Sequence, residues 1–386
     1  VDDSKKQGED LGNDSKRSVC CRACLSCVAV TLLALCIFLL SIYWDCLTLP
    51  IRQINPDQDS TVAADQQVDT RRADKVMSVL SYNVFLRSDP ITAEDTAAEN
   101  DFKEERMQAL IALLDAYDVL LLQEVWTPLS DGRKGRLIRA AEAKGFRFWV
   151  RSACCGRPVD AMLLIMSRHP ITGSGEFVFP GGVSNDMMAS KGVLWARVKP
   201  SSASGRAIDM FTTHLQSGSD PEEKKTERRR QVSQLGDFVR EKIETQAAGE
   251  EGGALIAGDF NVHGRTSMMN GTISEPYGAM ITNLAMNTES GLQLTDLILH
   301  DQPASQRGEL QITEPIWPKR LLEYNTSRDG GKALDYMFLV TQLGAREGSA
   351  GLGYFSPING TCVVDPMAAR SGEPFVTISD HFATNC

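Results

Sequence analysis

Histidine is scarce in this chain, with five residues among 386, so each is a position worth placing. Cysteine thins out after residue 46, leaving Cys154, Cys155, Cys362 and Cys386. None of these stands at a Cys/His spacing that would build a zinc site. Basic charge is in deficit, 40 Lys and Arg against 50 Asp and Glu, for a formal net charge of -10 and a pI near 5.2. That balance argues against affinity drawn from a broad cationic face on nucleic acid, while leaving room for a local basic groove. No internal repeat is visible. A hydrophobic content of 42% excludes disorder of the whole chain and supplies a core for one sizeable domain with appendages, or for two smaller domains.

What is present begins with a long uncharged run. Leu25 to Trp44, "LSCVAVTLLALCIFLLSIYW", matches the length of one bilayer-spanning helix. A cleaved signal peptide has a shorter apolar core and a small-residue cleavage site, whereas "SIYWDCLTLP" is bulky. The expectation is a polar tail over 1–24 and a transmembrane anchor over 25–44. Lys16, Arg17 and Arg22 flank the anchor on its N-terminal side, against Arg52 on the other, which places the tail in the cytosol and the remainder outside it. Sequons at Asn270, Asn325 and Asn359 are consistent with the secretory pathway, plasma membrane included. Cysteines 20, 21, 24, 27, 36 and 46 crowd the anchor, as S-acylation sites or as apolar filler. In an oxidising compartment Cys362 and Cys386 can pair, though sequence alone does not fix the connectivity. Residues 45–74 are polar and turn-rich, a linker, and the folded part is expected over 75–386.

From there strand-like and helix-like segments alternate. "VMSVLSYNVF", "DVLLLQEVW", "DAMLLIMSR", "VLWARVK", "AIDMFTTHLQ", "ALIAGDFNV" and "ALDYMFLV" read as strands. "EERMQALIALLDAY", "GRLIRAAEAKGF" and "EKKTERRRQVSQLGDFVREKI" read as helices. Many strands with few intervening helices predict an α/β sandwich, two packed mixed sheets flanked by helices, rather than a doubly wound parallel sheet. The run "KKTERRR" reads as a solvated helix face rather than an anionic-lipid site.

Polar residues recur where these apolar strands end: Asn83, Glu124, His214, Asp259 and Asn261, Asp335, and Asp380 with His381. Each alone is an ordinary turn former. Glu124 is less easily dismissed, because an unpaired carboxylate just after three leucines is costly to desolvate. Brought together, the set offers carboxylate and amide oxygens to a hard cation and two histidines with acid or base capacity near neutral pH. Such an inventory suits metal-assisted phosphoester hydrolysis, in which a His–carboxylate pair activates water.

"SYNVF", "LLQEVW", "TTHLQ", "GDFNV", "LDYMF" and "SDHF", in that order, resemble the endonuclease/exonuclease/phosphatase superfamily over essentially Lys75 to Cys386. "SNDMMASKGVLWARVK" followed by "FTTHLQSG" is similar to its neutral sphingomyelinase branch, where an Asp and a Lys five positions later precede a Gly; here these are Asp186 and Lys191. The resemblance implies Glu124 as principal Mg²⁺ ligand with Asn83 beside it and Asp380 at or just behind the metal, Mn²⁺ being an alternative ion. It implies His381 as general base oriented by Asp335, Asp259 and Asn261 positioning water and phosphoryl oxygens, and His214 as hydrogen-bond donor to the developing charge. Lys191 would add charge at the phosphate, with Asp186 able to hold it in reserve. His263 has no counterpart and reads as a loop residue.

The expectation is therefore a membrane-anchored, Mg²⁺-dependent sphingomyelin phosphodiesterase releasing ceramide and phosphocholine, with no nucleic-acid partner. An inositol phosphosphingolipid is the alternative substrate; a nuclease and a non-catalytic lipid receptor are the remoter readings. Which aromatic residues would cage choline, Trp126 or Tyr324 for instance, is left open.

Overall fold

The computed structural model describes residues 28, 30–36, 52–53, 77–88, 101–127, 132–153, 157–200, 206–218, 221–245, 253–267, 270–284, 292–300, 310–315, 331–342, 362–371 and 373–386. In chain order the strands are β1 (Arg52–Gln53), β2 (Val79–Leu86), β3 (Val119–Val125), β4 (Phe148–Arg151), β5 (Leu164–Ser167), β6 (Ile171–Val178), β7 (Gly192–Val198), β8 (Ile208–His214), β9 (Ala254–Asp259), β10 (Arg265–Ser267), β11 (Asn270–Ile273), β12 (Leu292–Asp296), β13 (Glu314–Pro315), β14 (Gly331–Lys332), β15 (Asp335–Gln342), β16 (Val363–Asp365) and β17 (Ala383–Asn385). The helices are α1 (Lys103–Leu113), α2 (Arg133–Ala143), α3 (Glu222–Glu244), α4 (Glu275–Leu284) and α5 (Leu297–His300).

Two mixed sheets dominate. One runs β1-β4-β5-β3-β2-β17-β16 and the other β12-β15-β9-β8-β7-β6. Each is antiparallel except for one central parallel pair, β2 with β3 and β8 with β9. The contiguous apolar runs have a simple cause: both faces of each sheet are covered, so neither face needs polar residues. Along β3, Val119 and Leu121 face the second sheet while Leu120 and Leu122 face α1 and α2. Along β9, Leu255 and Ala257 face the first sheet while Ala254 and Ile256 pack against α3. Helix, sheet, sheet and helix form four layers, the α/β sandwich expected from the sequence.

Between the sheets the filling changes character along the strands. Its apolar part gives way to Ser81, Gln123 and Thr212, joined by Gln123 Nε2 donating to Thr212 Oγ1 at 2.8 Å and to Ser81 Oγ at 3.3 Å. Two residues further along β2 and two further along β8 the polar groups become the candidate site. A buried polar bridge of this kind fixes the alignment of two sheets that apolar packing alone leaves free to slide.

Several elements are absent from the reading of the sequence, three of them with a clear cause or consequence. β6, "ITGSGEFV", is an edge strand whose glycines pack under Trp195 and so lack the apolar alternation that marks a strand. α4 is a short helix where the sequence reading places none. Arg52 and Gln53, within the expected linker, pair with Val150 and Trp149 of β4. Cys362 and Cys386 form a disulfide beside the Val79–Cys386 backbone pair, where β17 meets the start of β2.

Of the expected anchor only residue 28 and residues 30–36 are described; they are helical and exposed, and Cys36 is an exposed free thiol. Among the described residues no helix is long and apolar enough to cross a membrane. The rest of that segment, the other five N-terminal cysteines, Cys154, Cys155, Tyr324, Asn325 and Asn359 lie outside the described residues.

Candidate active site

Strands β2, β3, β8 and β9 all point their C-terminal ends to one edge, and antiparallel β15 starts there, so Asp335 lies in register with Asp259. A pocket of about 900 Å³ opens at that edge, lined by Glu124, Lys191, His214, Asp259, Asn261, Asp380 and His381 among others. Ligand sites gather where strand ends leave a crevice, because backbone irregularity there exposes side chains.

The floor of the pocket is a hydrogen-bonded carboxylate–amide chain. Asn83 Nδ2 donates to Glu124 Oε1 at 3.1 Å and to Asp259 Oδ2 at 3.0 Å. Asp259 Oδ1 accepts the backbone N–H of Asn261 at 2.8 Å. Asp259 Oδ2 also lies 3.5 Å from His214 Nε2 and 3.8 Å from His381 Nε2. The second imidazole nitrogen of His381 is 2.8 Å from Asp335 Oδ2, a contact that orients the ring. Asp380 lines the same pocket, its Oδ1 3.4 Å from Ser379 Oγ, which donates its proton to Asn83 O at 2.6 Å.

Charge in this cluster is tightly linked. Burial pushes Asp259 up to about 7, opposed by the His381 charge and reinforced by Asp335. For His381, burial acts to lower the pKa, but the facing Asp335 and Asp259 carboxylates outweigh it and raise the value well above 6.5. His214 moves the other way, lowered by burial and then by Lys191 and His381. It is therefore neutral at pH 7, with a buried Nδ1 that lacks a hydrogen-bond partner. The two histidines occupy opposite ends of the scale, the separation expected of groups with different roles.

Backbone strain concentrates here. Phe85, Glu124, Met162 and Asn261 have φ between 52° and 61°, and all four line the pocket. Asn tolerates this left-handed region; Phe, Glu and Met do so at a cost. Gly258 has φ 143°, and a Cβ there would overlap the Thr213 carbonyl oxygen of the neighbouring strand. Glycine is what lets β9 pack against β8 just before Asp259.

Lys191 is 2% exposed, so it is no solvated lysine. Its Nζ donates to Leu215 O at 2.7 Å and lies 3.2 Å from Asp186 Oδ2. Asp186 accepts the Ser217 backbone N–H at 2.7 Å, and Asn261 Nδ2 reaches Leu215 O at 3.3 Å. The Leu215 carbonyl thus ties Lys191 to Asn261.

A divalent cation fits the donor set by chemistry. Glu124, Asp259 and Asp380 offer carboxylate oxygens at one pocket floor, the hard ligands Mg²⁺ prefers. Asp259, Asp335 and His381 also bring ligand atoms within 4.8 Å of one another. In that trio His381 Nδ1 is engaged by Asp335, and the Glu124 and Asp380 carboxylates line the same pocket. Asn83 Oδ1 accepts the Phe85 N–H at 3.2 Å, so in this arrangement Asn83 positions two carboxylates and offers its amide N–H groups rather than its oxygen.

Several residues lie at the pocket that the sequence reading placed elsewhere or left without a role there. "KKTERRR" is not simply a solvated face: Lys225, Arg228 and Arg229 line the pocket, and buried Arg228 donates to Gln216 O and Gly218 O. His263 lines it too, half-buried, with Nδ1 lacking a partner. Arg87, stacked over Phe85 at 4.1 Å, and Trp126 line it as well. A basic residue within a helical charge pattern carries no mark of which face meets a cavity.

Comparison with known proteins agrees with this geometry. A sphingomyelinase of Dictyostelium discoideum is 27% identical over 339 residues, covering 71% of this chain and 72% of its own. The structure of sphingomyelinase C from Streptomyces griseocarneus superposes with a TM-score of 0.55 at 19% identity, over 80% of this chain and 98% of that one. A double mutant of beta toxin from Staphylococcus aureus, solved with bound magnesium ions, gives 0.54 at 16% identity, over 80% and 98%. The profile of the Endonuclease/Exonuclease/phosphatase family matches residues 80–381, so the chain belongs to that family and is a hydrolase of phosphoric diesters.

Proposed function

We propose that the chain is a Mg²⁺-dependent, membrane-anchored sphingomyelin phosphodiesterase that releases ceramide and phosphocholine. The observation that carries the reading is the pairing of buried Lys191 with Asp186 at the wall of a pocket whose floor holds the Asp335–His381 couple. A phosphodiester anion entering that pocket meets a desolvated ammonium, a neutral imidazole and an oriented histidine. The names of the Dictyostelium and Streptomyces relatives support a sphingomyelin substrate.

Each side chain has a distinct role in this reading. His381, held by Asp335, takes the proton of the attacking water on Nε2 in its neutral form, which the charge of a bound divalent cation would favour. Asp259 and Asn261 position that water against phosphorus. His214 Nε2–H donates to the charge developing on the phosphoryl oxygens, and Lys191 adds a fixed positive charge that water no longer screens. Asp186, at 3.2 Å, neutralises Lys191 while the pocket holds no phosphate. Glu124 and Asp380, with Asn83 nearby, would hold Mg²⁺, or Mn²⁺ in its place, which when bound would supply Lewis-acid charge to the phosphoryl group and leaving alkoxide. The beta toxin solved with magnesium supports that choice of ion. No nucleic-acid partner is part of this reading.

The extracytoplasmic placement rests on the basic flank Lys16, Arg17 and Arg22, the sequons and the Cys362–Cys386 disulfide. Headgroup release from defined liposomes, sphingomyelin against inositol phosphosphingolipid, tests the substrate. Preference for the inositol lipid would replace sphingomyelin as the substrate, and release from neither would reject the lipid reading.

A further inference from the structure

The 3₁₀ turn Ser184–Met188 carries two methionines that stand more than half exposed: Met187 is 59% exposed and Met188 51%. Beyond residue 76 they are the most exposed large apolar side chains among the described residues. A water-facing loop normally avoids such a pair, and an exposed apolar patch at a pocket mouth marks a contact surface.

The turn is held firmly. Val159 N donates to Met188 O at 3.1 Å, Ser190 N donates back to Val159 O at 2.8 Å, and Arg157 Nη1 donates to Ala189 O at 2.6 Å. Val183 N–H at its start is taken by Gln216 Oε1 at 2.7 Å. The methionines are therefore presented by a fixed support. Met188 and Val159 also line the pocket, while Met187 stands outside it. The patch is continuous with the mouth through which a substrate enters.

The charge around the mouth selects the partner. Lys225 and Arg229, at the start of α3 on the same mouth, are both held by Glu222, at 3.1 Å and 2.9 Å. Asp186, inside the turn, is matched by Lys191. An apolar tip in a rim of compensated charge suits a surface without net charge.

We propose that Met187 and Met188 seat the pocket mouth on a zwitterionic lipid bilayer, sinking into the boundary between headgroups and acyl chains. This rests on the lipid-hydrolase reading above, since the mouth must meet the headgroup layer for a bilayer lipid to reach Asp259 and His381. Methionine suits such a contact because it is unbranched, flexible and apolar, and adapts to a disordered surface.

The test uses the full chain reconstituted in phosphatidylcholine vesicles containing sphingomyelin, with a water-soluble nitrophenyl phosphodiester of choline as monomeric comparison. Met187→Glu should lower hydrolysis of the bilayer lipid at least tenfold and change the soluble substrate less than twofold, with Met187→Leu behaving as wild type. Parallel loss on both substrates, or loss on neither, overturns the proposal. A second readout needs no activity. The emission gained on Met187→Trp should be quenched by phosphatidylcholine brominated near the headgroup end of its acyl chains, equally at low and high salt. Absence of quenching overturns the proposal, as does quenching that requires anionic lipid, or a Met187→Glu variant that turns a dimer into a monomer. If the wild type cleaves no phosphosphingolipid, the proposed function fails while the quenching experiment still decides the docking.

Discussion

Asn83 and Asp259 are 176 positions apart in sequence and joined by a 3.0 Å hydrogen bond between the two sheets. That bond closes the gap between the ends of β2 and β9, and Asn83 donates in the same way to Glu124. One amide therefore sets the spacing of two carboxylates that would repel each other if both were charged in a dry pocket.

Glu124→Gln should leave the fold intact and remove most activity, because a neutral amide is a poor ligand for Mg²⁺. A loss of several kcal/mol of transition-state stabilisation corresponds to roughly a hundredfold or more in rate. Chelation of the wild type should have the same effect and added Mg²⁺ should reverse it. Near-wild-type turnover in folded Glu124→Gln would remove Glu124 from the metal site.

The Asp335–His381 contact gives a signed pH dependence. The folded pKa of His381 lies above its unfolded value of about 6.5, so the metal-free chain gains stability that is fully present below about 6.5 and lost as pH rises through the folded value. Asp335→Asn should lower the His381 midpoint seen by NMR in metal-free protein, and the stability gap between wild type and variant should shrink toward alkaline pH. Activity should fall roughly a hundredfold or more. An unmoved midpoint would show that Asp335 does not set the charge of His381.

Lys191→Ala removes a buried ammonium bonded to Leu215 O and Asp186. Loss of a phosphate contact made in the transition state should cost about 2 to 4 kcal/mol, judged by removal of one oxyanion-hole donor. A purely structural lysine would show its loss in stability, about 1 to 3 kcal/mol, with little change in turnover. Comparing kcat at saturating Mg²⁺ with the melting temperature separates the two; a rate change under threefold returns Lys191 to a packing role.

Gly258→Ala would drive a Cβ into the Thr213 carbonyl oxygen at a φ of 143°. The cost should reach about 3 kcal/mol or more, a fall of roughly 6 °C in Tm. Activity should drop further than stability, since Asp259 follows immediately and His214 sits opposite it in register. A variant with wild-type Tm and turnover would show that the strands have room to part.

The sequence by itself determined the layers and the inventory. Uninterrupted apolar strands such as "DVLLLQEVW" require cover on both faces, and polar residues at strand ends have nowhere to go but the sheet edge. Asn83, Glu124, His214, Asp259, Asn261 and Asp335 stand out as polar residues at the ends of apolar strands, whereas Asp380 and His381 are picked out by their order among the family's motifs. What the tertiary structure alone decided is who meets whom. Arg228 and Lys225 look alike within a helical charge run, yet one is buried at the pocket and the other held by Glu222 at the rim. His263 carries no local mark, and its place on the pocket follows from where the segment after β9 is pinned by Ala333 and Leu334, just before β15. Asp186 and Lys191 were readable as a pair; that Leu215 O and Ser217 N–H hold them required β8 to lie alongside β7. Periodicity reports which face of a strand or helix is dry, since burial acts residue by residue. Distances between charges depend on the register between sheets, and here that register is set by contacts such as Gln123–Thr212, between residues 89 positions apart, which no local pattern encodes.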